Sequence, residues 1–248
     1  MSTATSQPTA SADPVPRLRD GDRLSVPEFL RRYAADPVVL SAELIQGVVY
    51  INRKRELPNG KGIEVTPISA EGHAEPDNTI QTVFGTYAAY TPGTRATSAA
   101  TVLLPGASAA LEPDGTLRVL AERGGKARVG EDGWLHGVPE LVAETSFTSG
   151  PRDFGPKYTA YESAGVPEYL VWRTAEQEVH WFALRDGAFV PLEPDASGIV
   201  RSEAFPGLWL NVTALLAGDT ATVLATLQLG LASPEHAAFV ARLQPHGA

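Results

Sequence analysis

Two acids and a lysine stand where a soluble fold by itself has little use for them. Asp114 lies in LEPDGTL, just ahead of an apolar run, and Glu144 interrupts the apolar stretch Leu141-Val142-Ala143. A strand is expected there to be buried, and a buried carboxylate costs several kcal/mol unless it is paired or bound to a cation. Lys157 falls in the expected first turn of a helix, where the positive end of the helix dipole opposes a cation by roughly 0.3–1 kcal/mol. Charges placed against local preference in this way are what a metal-dependent hydrolytic site looks like in sequence. Cutting a phosphodiester calls for a divalent cation to acidify a water and offset charge on the phosphate oxygens. Mg²⁺ takes one or two carboxylates plus waters and substrate phosphate, and a lysine beside that shell can orient the water or stabilise the transition state.

Each residue also has a plainer reading. Pro-Asp-Gly at 113–115 is a common turn, and Glu144 could be a strand-end charge facing solvent. Asp153 and Lys157 are four apart, the spacing of a surface ion pair worth about 0.3–0.5 kcal/mol, and Asp153 suits a structural role near the helix start. Thr148 and Ser149 can bind phosphate or merely shape a loop. His73 reads as a surface histidine and His180 as a packing residue, while Glu140 and Glu168 flank strands and are expected to face solvent.

The elements that must position these groups alternate between strand and helix. Ser25-Val26-Pro27-Glu28 has capping-box spacing and opens a helix through Ala35. ELIQGVVYI (43–51) reads as two strands around Gln46-Gly47, followed by a loop rich in Gly, Pro and charge. Asp77 is placed to cap a helix carrying Ile80, Val83, Phe84, Tyr87 and Tyr90 at helical spacing. Strands are expected at 100–106, 116–122 and 140–147, with a Gly-rich polar loop over 123–139. A helix is expected from Lys157 to Ala164, ended by Gly165. Strands at 168–173, 178–185 and 188–194 follow, with a hairpin turn at Asp186-Gly187. A short helix spans about 211–217, and two more follow Asp219. The pattern is that of a mixed α/β protein with a central sheet flanked by helices, divided into a disordered tail (1–20), a main domain (21–217) and a C-terminal helical extension (218–248).

Composition narrows the function classes. The 248 residues hold 20 Lys and Arg against 29 Asp and Glu, a net charge of −9, and no Cys. The missing Cys excludes a disulfide framework, a thiolate metal site and a cysteine nucleophile. The acidic balance excludes tight, sequence-blind grip on nucleic acid over a broad basic surface, so any contact is expected to be local and metal-assisted. Arg123, Lys126 and Arg128 form a small basic cluster suited to backbone phosphates beside such a site. No signal-peptide core or membrane span is present, so a cytoplasmic protein is expected. The Gly-rich loop lacks the phosphate-loop spacing Gly-x-x-x-x-Gly-Lys-Ser/Thr, and no Gly-x-Ser-x-Gly or His-Glu-x-x-His motif occurs.

From about Leu24 to Leu216 the chain resembles the bacterial family described as putative restriction endonucleases, in the PD-(D/E)XK nuclease superfamily. Pro113-Asp114 matches its Pro-Asp, and GVPELVAET (137–145) matches its "PELVVE" strand, with Glu144 at the acid. Thr148-Ser149, Asp153 and Lys157 match its Ser-Ser, Asp and Lys. KYTAYESAGVPEYLVW (157–172), EAFPGLWL (203–210) and Glu43 in ELIQG match further segments. Two departures are visible. Ser146 stands where the superfamily places its lysine, so Lys157 would act from the helix. Gln46 and Val48 replace the second acid of the early "ELIDGE". The resemblance implies a restriction-endonuclease-like α/β sandwich and a metal-dependent endonuclease acting on phosphodiester bonds of nucleic acid, DNA first. Asp114 and Glu144 would bind Mg²⁺ or Mn²⁺, Lys157 would assist the attacking water, and Glu43 would support the metal or the water. A homodimer is also implied. The competing reading is a catalytically inactive nuclease-fold module for nucleic-acid or protein interaction.

Overall fold

Local rules place most elements. In the computed structural model, which describes residues 15–54, 69–147 and 153–244, Ser25 caps α1 (Val26–Ala35) by accepting from the Glu28 N–H at 3.4 Å. β1 (Val39–Ile45) and β2 (Val48–Lys54) form a hairpin. Gln46 and Gly47 turn it with φ of 51° and 77°, the doubly left-handed geometry that matches strand twist. Asp186-Gly187 turns a second hairpin in the same way, with φ of 52° and 83°. Helix α2 (Glu75–Tyr90) starts earlier than an Asp77 cap predicts. It grows out of a π turn (Ala70–Ala74) capped by Ser69, whose Oγ accepts from the Gly72 N–H at 3.0 Å. Asp77 therefore lies in the first helical turn and accepts from Gln81 Nε2. Of the five apolar residues at helical spacing, Tyr90 alone faces solvent.

Two six-stranded sheets follow from the remaining strands. Sheet one orders β2-β1-β5-β4-β8-β7, adding β4 (Val102–Leu104), β5 (Ala109–Leu111), β7 (Arg128–Val129) and β8 (Leu135–His136). Sheet two orders β12-β11-β10-β9-β6-β3. It comprises β3 (Thr94–Ser98), β6 (Gly115–Val119), β9 (Leu141–Ser146), β10 (Glu168–Arg173), β11 (Glu178–Arg185) and β12 (Ala188–Pro191). β9 and β10 run parallel while their other neighbours are antiparallel, so this sheet is mixed. The parallel pair is joined through α3 (Pro156–Ala164), which Gly165 ends at φ 81°.

Sheet two is the central layer because side chains alternate along its strands. Val142, Tyr169, Val171 and Phe182 point to one side, where they meet Ile45, Val102 and Leu111 of sheet one and Tyr161 of α3. Leu141, Ala143, Leu170 and Trp172 point to the other. There they meet α2, α4 (Val212–Leu216), α5 (Thr220–Leu231) and α6 (Pro234–Arg242). A further hairpin, β13 (Ile199–Arg201) with β14 (Trp209–Asn211), carries the chain to those last helices.

Two glutamates expected to face solvent are structural acceptors instead. Glu168 is 1% exposed and accepts from Trp181 Nε1 (3.0 Å), Ser202 Oγ (2.7 Å) and the Glu203 and Ala204 N–H groups (2.6 and 2.8 Å). It pins the loop before β14 to the central sheet. Glu140 accepts from the Val119 and Lys126 N–H groups at 2.8 and 3.3 Å, tying down the Gly-rich loop, which itself carries β7 and β8. Residues 1–14 of the expected tail, most of the loop at 55–68, and Thr148 and Ser149 lie outside the described residues. Leu18, within the last part of that tail, is buried. Among the described residues, no helix is long and apolar enough to cross a membrane.

Candidate active site

The acids meet through strand register. β6 and β9 pair Gly115 with Ala143 and Thr116 with Val142. Continuing that register sets Asp114 opposite Glu144, both on the face that looks toward sheet one and α3. The Thr145 N–H donates to Asp114 Oδ2 at 2.7 Å and fixes the aspartate against the end of β9. Glu144 is 4% exposed, as its apolar neighbours require, and its Oε1 accepts from Lys157 Nζ and from the Tyr161 hydroxyl, each at 2.9 Å. Lys157 and Tyr161 are four residues apart on α3 and so present one face to the sheet. Glu43 arrives from the opposite layer: it alternates with Leu44 on β1 and points the same way as Ile45, into the space between the sheets. Its Oε1 lies 3.0 Å from Lys157 Nζ and accepts from the Glu112 N–H at 2.8 Å, while Oε2 accepts from Asn52 at 3.1 Å.

All four residues singled out by sequence thus converge, with Lys157, 5% exposed, between two carboxylates. Asp153 does not cap α3; that position belongs to Gly155, with no side-chain cap. Asp153 is instead buried, with Oδ1 3.9 Å from Lys157 Nζ. Its spacing suggests a surface pair, yet burial makes it part of the negative surroundings of the lysine. Tyr161 was not among the sequence candidates. His73 is half-buried rather than a free surface group: the π turn brings its Nε2 to 3.8 Å from Asp114 Oδ1.

Burial sets the electrostatics. It pushes the Glu144 carboxyl well above the ordinary range, opposed by Lys157 and reinforced by Asp114, Asp153 and Glu43. Burial also pushes Asp114 up to about 6, against the pull of Lys157 and the Thr145 N–H. For Lys157, burial opposes the charge, but Glu144, Glu43 and Asp153 outweigh it and raise its pKa. The balance favours the ammonium form of the lysine. In that form it donates hydrogen bonds and offsets negative charge.

The donor chemistry fits a hard divalent cation. Asp114 and Glu144 offer carboxylate oxygens on adjacent strands, and the Asp114 side chain is 24% exposed, which leaves a way in from solvent. Among the described residues, no group of three or more His, Cys, Asp or Glu side chains is arranged to hold a metal. Asp114 and Glu144 together offer two carboxylates, a number Mg²⁺ commonly takes alongside waters and phosphate. The basic cluster expected beside the site is elsewhere. The Lys126 backbone is bonded to Glu140, at the opposite end of β9 from Glu144, about 13 Å away at strand rise.

Residues 51–213 match the family model Uma2, described as "Putative restriction endonuclease". No curated protein matches the chain. Among solved structures, the chain is similar to one described as a putative nuclease belonging to DUF820 from Anabaena variabilis ATCC 29413. The identity is 14%, with 78% of this chain and 98% of that chain covered and a TM-score of 0.51. At that identity the likeness is one of fold, and the expected nuclease-like α/β sandwich is the architecture observed.

Proposed function

The chain belongs to the Uma2 family, and from that premise we propose that it is a metal-dependent endonuclease hydrolysing phosphodiester bonds in DNA. The observation that carries the reading is the convergence of Lys157 on Glu144 and Glu43, on the same face of the sheet as Asp114. Asp114 and Glu144 would hold Mg²⁺ or Mn²⁺. The bound cation would supply an acidified water and would offset charge building on the scissile phosphate.

The chain's own groups have separable tasks. The Thr145 N–H orients Asp114, and Lys157 with Tyr161 occupies Glu144 Oε1, so that Oε2 is the oxygen that would hold the cation. Lys157, as an ammonium, would donate toward the attacking water or the phosphate oxygens as negative charge develops. Glu43 is a positioning residue, holding the ammonium from the opposite sheet.

Purified protein should nick or linearise plasmid DNA with Mg²⁺ or Mn²⁺ and not with EDTA, and Asp114→Ala should abolish this. Equal activity in that variant would sink the assignment of the site. Calorimetric titration with Mn²⁺ should show binding that Glu144→Ala weakens; no binding, even with DNA present, would favour a catalytically inactive interaction module.

A further inference from the structure

The face that carries Asp114 continues down β6 through Thr116 to Arg118, because every second residue points the same way. Arg118 pairs in register with Arg95 on β3, the edge strand of the central sheet. Like charges directly opposite each other destabilise a sheet, and among the described residues neither arginine has a carboxylate within 4.0 Å. Arg118 is mostly buried and donates from Nη1 to Thr97 Oγ1 at 2.9 Å. Burial and the facing Arg95 depress its pKa, against the pull of Glu140 and Glu122. Glu140, beside the start of β9, is committed to the Val119 and Lys126 N–H groups. The loop bearing Arg123, Lys126 and Arg128 leaves from this same end of β6.

Resting on the nuclease reading, we infer that Arg95 and Arg118 form a backbone-phosphate subsite, which holds the nucleic-acid strand a few nucleotides away from the bond cut at Asp114 and Glu144. An anion between the two guanidinium groups removes their repulsion and gives each an anionic partner. Four residues of strand separate Asp114 from Arg118, roughly 13 Å, about four base steps at 3.4 Å each along a duplex axis. The pair also reconciles a net charge of −9 with a nucleic-acid substrate, since its exposed member, Arg95, stands on the edge strand of the sheet.

The test is anisotropy binding of a labelled duplex oligonucleotide to the full chain, with Ca²⁺ in place of Mg²⁺, across about 50–200 mM salt. Arg95→Ala removes an exposed side chain and leaves the core alone. Its affinity should fall about five- to tenfold whatever the sequence, and its salt slope by about 1. Arg31→Ala, which deletes an equal charge on α1, should bind as the unaltered chain does. Arg118→Lys keeps the buried charge without the planar fork and should show a smaller loss, with an unchanged melting temperature confirming its fold. If the unaltered protein binds and cuts DNA while Arg95→Ala matches it in both affinity and slope, the subsite is wrong and the nuclease reading stands. If the unaltered protein neither binds the duplex nor nicks plasmid, the nuclease reading fails and takes the subsite with it.

Discussion

Asp114 carries a cost that the fold alone does not repay. Its pKa stands at about 6 in the folded protein against an ordinary 3.8. Between those values the folded protein keeps a proton that the unfolded chain has released, so folding stability falls as pH rises through that window. The penalty is absent below about pH 4 and complete above about pH 6. Asp114→Asn keeps an acceptor for the Thr145 N–H and removes the penalty. In EDTA the variant should be more stable than the parent at pH 7–8, by up to about 3 kcal/mol, and equal to it near pH 4, and with Mg²⁺ it should cut no DNA. Urea denaturation at the two pH values decides this; an asparagine variant less stable at pH 7 would mean that the carboxylate is not strained there. This is also where sequence and structure meet most directly. Glu144 is legible because an acid inside an apolar run has few explanations, and Lys157 because a cation at a helix start is unfavourable. Tyr161 is not, because an aromatic at helical spacing looks like core until a buried hydroxyl partner is seen. Glu168 escapes for a related reason: a glutamate opening a strand is usually solvated, and nothing local reveals the loop that folds over it.

At the scale of elements, the site depends on segments whose shape is set by contacts far away in sequence. The π turn before α2 packs so closely that a Cβ added at Gly72 would come within 2.7 Å of the Phe147 ring, itself three residues past Glu144. Such turns interrupt helices at functional sites more often than elsewhere, and this one delivers His73 to Asp114. Gly72→Ala should displace Phe147 or the turn, lower stability by about 1–3 kcal/mol, and reduce nuclease activity more than the stability loss explains at 25 °C. Activity at full parental level would detach the turn from the site. The helix expected from an Asp77 cap misses this turn because Ser69 lies outside the apolar periodicity that signals a helix. β5, β7 and β8 are likewise too short to show alternation. The facing of Arg95 and Arg118 exists only in a register that no local pattern reveals.

Across the whole molecule, the central sheet has acids at one end of one face and arginines at the other, while its opposite face belongs to the last helices. Val223 and Leu227 of α5 are fully buried, and Phe239 of α6 and the following Leu243 join the same core. A Cβ at Gly230 would meet the Gly207 carbonyl oxygen at 2.2 Å, so α5 lies directly on the loop before β14. The buried Thr91 Oγ1 and His236 Nε2 are 2.9 Å apart, linking the end of α2 to α6. Burying those four apolar side chains contributes on the order of 6–12 kcal/mol, comparable with the roughly 5–15 kcal/mol that separates a folded domain from its unfolded chain. A protein ended at Gly218 should therefore lose cooperative thermal unfolding and its near-ultraviolet dichroism, and plasmid nicking with them, although no proposed site residue has been removed. A truncated chain that melts cooperatively would show that α5 and α6 cover the core without holding it. In that case its nuclease activity, compared with that of the full chain, would report whether the two helices act on the site at all.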